Sequence, residues 1–336
     1  MPFALTNQEC LTARLSALGD AVLTTGVLHY WHERAGLSFQ VLTRPALAPI
    51  FRNHPAVRRL ILVEKKDMSG RAWWSFCRKL RRSHGHLPFL DLHDNLRTRV
   101  LRLLWPSTVR TYRKYSVLRR LFLAARRPFV GNLLRRHNVP QRYAMTLEKT
   151  PPVAHVLRPL MFLEAEEHDA AQRLLSRLGP NKPVAIHPYA THPAKSPAPT
   201  IWLEVIRLLD AAGHSTVIIG RNDAPLMPGA AQDLTNKTDL RITAAVLARC
   251  ACLITGDSGP MHLATAVGTP VAALFGPTTA EWGFYPSGPK DKVLQIPCPD
   301  APCSLHGQDA CTRGNACMTD LSTEQILSLA RSVLES

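Results

Sequence analysis

The chain has 336 residues, 46% of them hydrophobic, which excludes a disordered chain and is more than one ordinary core holds, so two domains are expected. Its formal net charge of +16 is uneven: the first 150 residues carry 27 Lys and Arg against 8 Asp and Glu, the remainder 14 against 17. That asymmetry points to an anionic partner met mainly by the first half, with nucleic acid, an anionic membrane face and a phosphorylated glycolipid as the chemical options.

The first residues lack a basic segment followed by a long apolar one, so no signal peptide is expected and the protein is expected to stay in the cytoplasm. No apolar run reaches about 18 residues, so no spanning helix is expected. Residues 11–15 read as a strand and 21–31 as a helix. Between them Gly19 permits a sharp turn, and Asp20 stands at the helix start, either as an N-cap or as a general base. Strands follow at 39–42, 59–63 and 86–92, then basic amphipathic segments at 97–104 and 115–127.

The second half repeats the rhythm: strands at 183–187, 216–220, 252–255 and 271–275, with helices at 201–212, 242–250 and 261–267. A last helix, 323–334, is expected to cross back onto the first domain. Alternating strands and helices predict parallel sheets covered on both faces. Two such halves give an α/β protein of two Rossmann-like domains, 1–160 and 161–336. Ligands are expected beyond the carboxyl ends of the strands.

The most specific segment is Gly256-Asp257-Ser258-Gly259-Pro260-Met261-His262. A strand ends there in a turn that passes straight into a helix, with Ser258 able to cap and Pro260 suited to the first turn. The helix N-terminus offers N–H groups and a partial positive charge to a diphosphate. A capped turn alone accounts for Ser258 and Pro260 but gives no use to Asp257 and His262. Near the chain end stand Cys298, Cys303, Cys311 and Cys317, with His306 among them. Their spacing fits no regular zinc ribbon, and they are weighed as a structural metal clip or as reduced thiols packing a loop.

Residues 255–278, TGDSGPMHLATAVGTPVAALFGPT, resemble the signature of glycosyltransferase family 9, which includes the lipopolysaccharide heptosyltransferases. RLSALGDAVLTT at 14–25 is similar to that family's Gly-Asp loop, and the stretches at 91–97 and 236–240 also resemble it. The resemblance implies a GT-B architecture, with two Rossmann-like domains facing across a cleft: a basic acceptor-binding domain and then a donor domain. It implies an inverting transfer from ADP-heptose to the inner core, a Kdo-bearing saccharide linked to lipid A, with no cofactor required for catalysis.

By the same resemblance Asp20 is the general base. Lys195, Thr191, Ser258, Gly259 and Met261 hold the donor phosphates. Asp257 and His262 meet the donor sugar, and Asn222 and Asp223 compete for the nucleoside. For the acceptor, Lys65, Lys66, Arg97 and Arg120 are the candidates, and other basic residues would hold the anionic inner-membrane surface. The chain departs from the family at Tyr189-Ala190 and at Lys195-Ser196-Pro197, which leaves another sugar nucleotide or a non-lipopolysaccharide acceptor as the alternative. Nucleic acid is not expected as a partner, because the basic half lacks interleaved aromatic platforms. An inactive scaffold is disfavoured by the joint presence of Asp20, Lys195, Asp257 and His262.

Overall fold

The computed structural model describes residues 5–305, 307, 311, 314 and 316–336. The α/β chain forms two compact units, Met1–Tyr115 with Val139–Phe162, and Ser116–Asn138 with Leu163–Ser336. Each unit is built on one five-stranded parallel sheet. The last passage between units falls at 162/163, and residues 116–138, expected with the first domain, group with the second unit.

The first unit runs β1 (Glu9–Arg14), α1 (Leu18–Ala35), β2 (Ser38–Thr43), α2 (Ala48–Phe51), β3 (Val57–Leu62), α3 (Gly70–His84), β4 (Phe89–Asp91), α4 (Leu96–Leu104) and β5 (Val109–Thr111). Its sheet order is β3-β2-β1-β4-β5. The chain steps outward from β1 to β3, then returns to the other side of β1, so the order reverses between β1 and β4. A parallel sheet opens a crevice at such a point, beyond the strand ends. Buried Leu11, Ala13 and Leu15 pack with Trp73, Cys77 and Leu80, which recur on one face of α3. The helix α1 begins at Leu18, so Gly19 and Asp20 lie in its first turn and not in the loop expected before it. A Cβ at Gly26 would sit 2.3 Å from the Arg158 carbonyl oxygen, which is why α1 carries glycine where residues 157–158 pass over it.

The second unit takes α5 (Ser116–Ala125) and α6 (Pro128–Arg135) before the chain returns to the first for α7 (Val139–Ala144). It then continues through α8 (Ala165–Leu175), β6 (Val184–His187), α9 (Pro199–Ala211), β7 (Thr216–Ile218), α10 (Leu240–Ala248), β8 (Cys252–Gly256), α11 (Gly259–Ala266), β9 (Val271–Phe275), β10 (Lys292–Gln295), α12 (Ala316–Thr319) and α13 (Thr323–Leu334). The sheet order is β10-β9-β8-β6-β7, reversing between β6 and β8. Strands β6, β8 and β9 are buried throughout, as near-continuous apolar runs require when both faces are covered.

Two details differ from the sequence reading. Helix α13 buries Ile326, Leu327, Ala330 and Val333 in the second unit's core with Trp202 and Val205, so it does not cross back onto the first domain. The pair α5 and α6 is tied to the second unit by side chains. Arg119 Nη2 donates to the Trp282 carbonyl over 2.8 Å, Arg135 Nε donates to Glu281 over 2.9 Å, and Phe122 packs edge-on to Trp282. A Cβ at Gly131 would meet Phe122 at 2.8 Å, so the glycine lets the two helices close.

Candidate functional site

In the first unit, polar residues gather at the carboxyl ends of β1, β2 and β4. Asp20, at the third position of α1, has Arg14 Nη2 at 2.6 Å from Oδ2, and Tyr143 donates its hydroxyl to Oδ1 over 2.7 Å. No side-chain cap forms at the start of α1, so the capping role for Asp20 is set aside. Arg14 closes the cluster by donating to the Leu92 carbonyl over 2.5 Å and by facing the Tyr143 ring at 5.4 Å. Burial opposes the charge of Arg14, but Asp20, Tyr143 and Tyr112 together outweigh it and the guanidinium pKa rises. Burial raises the Tyr143 phenol well above its usual range, so it stays a donor. Arg14 and Tyr143 escaped the sequence reading: Arg14 stands inside the quoted RLSALGD, but Tyr143 is 123 residues from its partner.

His93 follows β4 in a loop pinned by Asp91, whose Oδ1 accepts from the N–H groups of His93 and Asp94, each at 3.0 Å. The residue is 4% exposed, and neither ring nitrogen has a hydrogen-bond partner among the described residues. Burial, then the charge of Arg14, push its pKa down to about 3, so the ring is neutral.

In the second unit, β6 and β8 lie side by side with His187 opposite Thr255. Thr255 Oγ1 and Ser258 Oγ are 3.1 and 3.3 Å from His187 Nδ1. Ser258 is the N-cap residue of α11, but its hydroxyl turns toward Thr255 and His187, so no side chain caps the helix. This corrects the expected serine cap and leaves the first-turn N–H groups without one. Met261 has 0% exposure and His262 is 3% exposed, so both are buried behind the turn. Beside this turn Lys195 Nζ donates to Asp257 Oδ2 over 2.6 Å, and Thr278 donates to the same oxygen over 2.7 Å. A Cβ at Gly256 would stand 2.3 Å from the Lys195 carbonyl oxygen, so glycine at the end of β8 admits the lysine loop. Ser196 holds that loop by donating to the Pro188 carbonyl over 2.6 Å and accepting from Trp202 Nε1 over 3.0 Å.

The remaining expected residues are less gathered. Thr191 is exposed in the loop before Lys195. Asn222 turns its Oδ1 to the Ala224 N–H over 2.8 Å, a local turn, while Asp223 is exposed. Lys65 and Lys66 are exposed after β3, and Arg97 donates to the Met68 carbonyl over 2.8 Å. Arg120 is exposed on α5, which belongs to the second unit, whereas the other three acceptor candidates belong to the first.

The four cysteines Cys298, Cys303, Cys311 and Cys317 are free thiols lining one cavity of about 270 Å³ with Arg126 and Asp300. Burial raises the Cys317 thiol to about 11 and also raises Cys303. Thiolates are what metals bind, and among the described residues no three His, Cys, Asp or Glu side chains are placed to hold an ion. His306 lies outside the described residues.

The family model described as Glycosyltransferase family 9 (heptosyltransferase) matches residues 94–310. A lipooligosaccharide heptosyltransferase 2 of Campylobacter jejuni subsp. jejuni serotype O:2 is 31% identical over 110 residues, 31% of this chain and 32% of that protein. The chain thus spans about a third of the length of the curated relative it matches. A glycosyltransferase family 9 structure from Veillonella parvula DSM 2008 matches over 100% of both chains, with TM-score 0.79 and 21% identity. The E. coli ADP-heptose lps heptosyltransferase II matches over 97% of this chain and 98% of that one, with TM-score 0.71 and 16% identity. The fold shared with these structures is GT-B.

Proposed function

The chain belongs to glycosyltransferase family 9, and on that premise we propose that it is an inverting transferase moving a heptose from ADP-heptose to the inner core of lipid A-linked lipopolysaccharide. The observation that carries this reading is the cluster of Lys195, Asp257 and Thr278 beside the uncapped start of α11. An ammonium has three donors, and one goes to Asp257, leaving two for diphosphate oxygens next to the helix N–H groups. Negative charge building on the leaving ADP is thus met by groups already in place, without a metal in this scheme. Asp257 and His262 serve the donor sugar, and Thr191, Asn222 and Asp223 the rest of the nucleotide.

Asp20 takes the proton of the acceptor hydroxyl as that oxygen bonds to the anomeric carbon from the face opposite the diphosphate. The anomeric C–O bond breaks and ADP leaves with its electron pair, inverting the centre. Arg14 sets a positive charge against Asp20, and Tyr143 fixes its orientation. Lys65, Lys66 and Arg97 serve the acceptor's anionic groups.

The acceptor in this reading is lipid-linked, so an anionic inner-membrane surface, met from the cytoplasm, is part of the proposal. Two features support it. Residues 95–147 hold 13 Lys and Arg and no Asp or Glu. Helices α5 and α6 expose Val117, Leu121 and Phe129, with Phe129 77% exposed, beside exposed Arg120, Arg127 and Arg136. Among the described residues no helix is long and apolar enough to cross a membrane.

The test is thermal stability against ADP, UDP, GDP and ADP-heptose, followed by transfer to Kdo-lipid A. A ligand that binds only the folded state raises the melting temperature by mass action. A selective rise with ADP and ADP-heptose is expected. A rise only with UDP or GDP would reassign the donor, and no rise in a folded sample would overturn the reading.

A further inference from the structure

Asp20 is not the only polar group at the β1–β4 crevice. His93 is buried there with two unmet ring nitrogens, and Asp91 together with Arg14 pins the loop that carries it. Two more buried donors in this region lack hydrogen-bond partners among the described residues: Nε of Arg14, at the end of β1, and Nε of Arg44, just after β2. Arg14 holds the Leu92 carbonyl next to His93, and Arg44 follows Thr43, the residue paired with Arg14 between β1 and β2, so these side chains form one neighbourhood, which Lys114 and Asp20 share electrostatically. Buried polar atoms are normally paired, and several orphans in one place point to a ligand that pairs them. A neutral imidazole offers one donor and one acceptor, which is the complement of a sugar hydroxyl. Unmet guanidinium N–H groups between cations are the complement of a carboxylate or phosphate oxygen.

We propose that His93, with the Nε–H groups of Arg14 and Arg44, forms a subsite for an acidic acceptor sugar, in which His93 pairs with a hydroxyl of the sugar whose neighbouring hydroxyl reacts at Asp20. The subsite rests on the assignment of Asp20 as the base in the proposed transfer. It gives the chain a specificity element separate from the exposed lysines and arginines: it reads the hydroxyl pattern of one ring, whereas they meet charge.

The experiment compares wild type, His93→Ala and His93→Gln in transfer assays, with KM measured separately for acceptor and donor, and with melting temperatures recorded. His93→Ala is expected to raise the acceptor KM about tenfold or more, the usual cost of a lost buried hydrogen-bond partner. The donor KM should stay unchanged. His93→Gln, which keeps a donor and an acceptor, should recover most of the loss. An unchanged acceptor KM in a folded His93→Ala protein overturns the subsite, as does an equal rise in donor KM.

A second readout does not depend on turnover. In a long-range proton–nitrogen correlation spectrum of the histidine rings, the resonance missing from His93→Gln should shift on titration with Kdo or with a heptose phosphate, and not with ADP. A shift with Kdo alone assigns the anionic group as carboxylate, and a shift with the phosphate alone as phosphate. If the wild type transfers to no acceptor but this ring still shifts with an acidic sugar, the transfer reading fails, and what stands is binding of that sugar at His93. No shift with either sugar overturns the subsite.

Discussion

Tyr143 donates its hydroxyl to Asp20 over 2.7 Å, joining α7 to the first turn of α1 across 123 residues of sequence. With Arg14 on the other oxygen, the carboxylate is held from two sides.

Asp20→Asn is therefore expected to lower kcat by about 100-fold or more, the usual scale for a removed general base. Tyr143→Phe should lower kcat about tenfold, the equivalent of one hydrogen bond at a partly buried carboxylate, with donor KM unchanged. Steady-state kinetics on folded variants decide both. Wild-type turnover in Asp20→Asn would end the base assignment.

Lys195→Ala should raise donor KM and lower kcat, together by about 100-fold to 1000-fold, as for other removed donors to a developing anion. Isothermal titration with ADP separates the ground-state share from the remainder. Unchanged ADP affinity together with an unchanged rate would dissociate Lys195 from the phosphates.

Gly256→Ala places a Cβ 2.3 Å from the Lys195 carbonyl oxygen, so the lysine loop must shift. A loss of about 1–3 kcal/mol in urea unfolding is expected, the scale of overpacking. ADP affinity should fall in parallel, because the loop carries Nζ. Stability and affinity equal to wild type would show that the loop yields freely.

Burial pushes His54 and His187 down to about 4 from 6.5. In the folded state His54 spans Thr25 and Ala56, with the Ala56 N–H donating to Nδ1 over 3.2 Å, so an added proton has no acceptor there. Because the folded pKa lies below the unfolded one, the unfolded chain takes up protons first as pH falls. The stabilisation is complete above pH 6.5 and is lost between 6.5 and 4, at most on the order of 3 kcal/mol per histidine. Urea midpoints measured across this window should fall toward acid, and His187→Asn should make the fall shallower. Midpoints that stay level from pH 7 to 4 would contradict the buried neutral state of both rings.

Phe129→Ser combined with Val117→Ser should reduce binding to phosphatidylglycerol vesicles by about tenfold, since both are exposed and each buried apolar side chain is worth about 1.5–3 kcal/mol at full burial. Binding of the wild type should weaken as salt rises. Equal binding of the double variant in co-sedimentation would remove α5 and α6 from the membrane contact.

Much of the fold was legible along the chain because buried parallel strands are short continuous apolar runs. Residues 252–255 and 271–275 were placed within a residue of β8 and β9 for that reason. The strands β5 and β10 were missed: Val109–Thr111 is three residues long, and Lys292–Gln295 opens on an exposed lysine. The segment 116–138 carried the same basic character as its neighbours, and only Arg119, Phe122 and Arg135 meeting Trp282 and Glu281 show which unit it joins.

The sequence by itself determined the alternation of strands and helices, the charge asymmetry, and the turn from β8 into α11, because these follow from local periodicity and a contiguous motif. Only the tertiary structure decided what each polar residue meets. It brought Lys195 to Asp257 and Tyr143 to Asp20, turned Ser258 away from capping α11, and left the His93 nitrogens buried without hydrogen-bond partners among the described residues. Such pairings depend on strands that are adjacent in space and distant in sequence, and the stagger of a parallel sheet sets them, not the spacing along the chain.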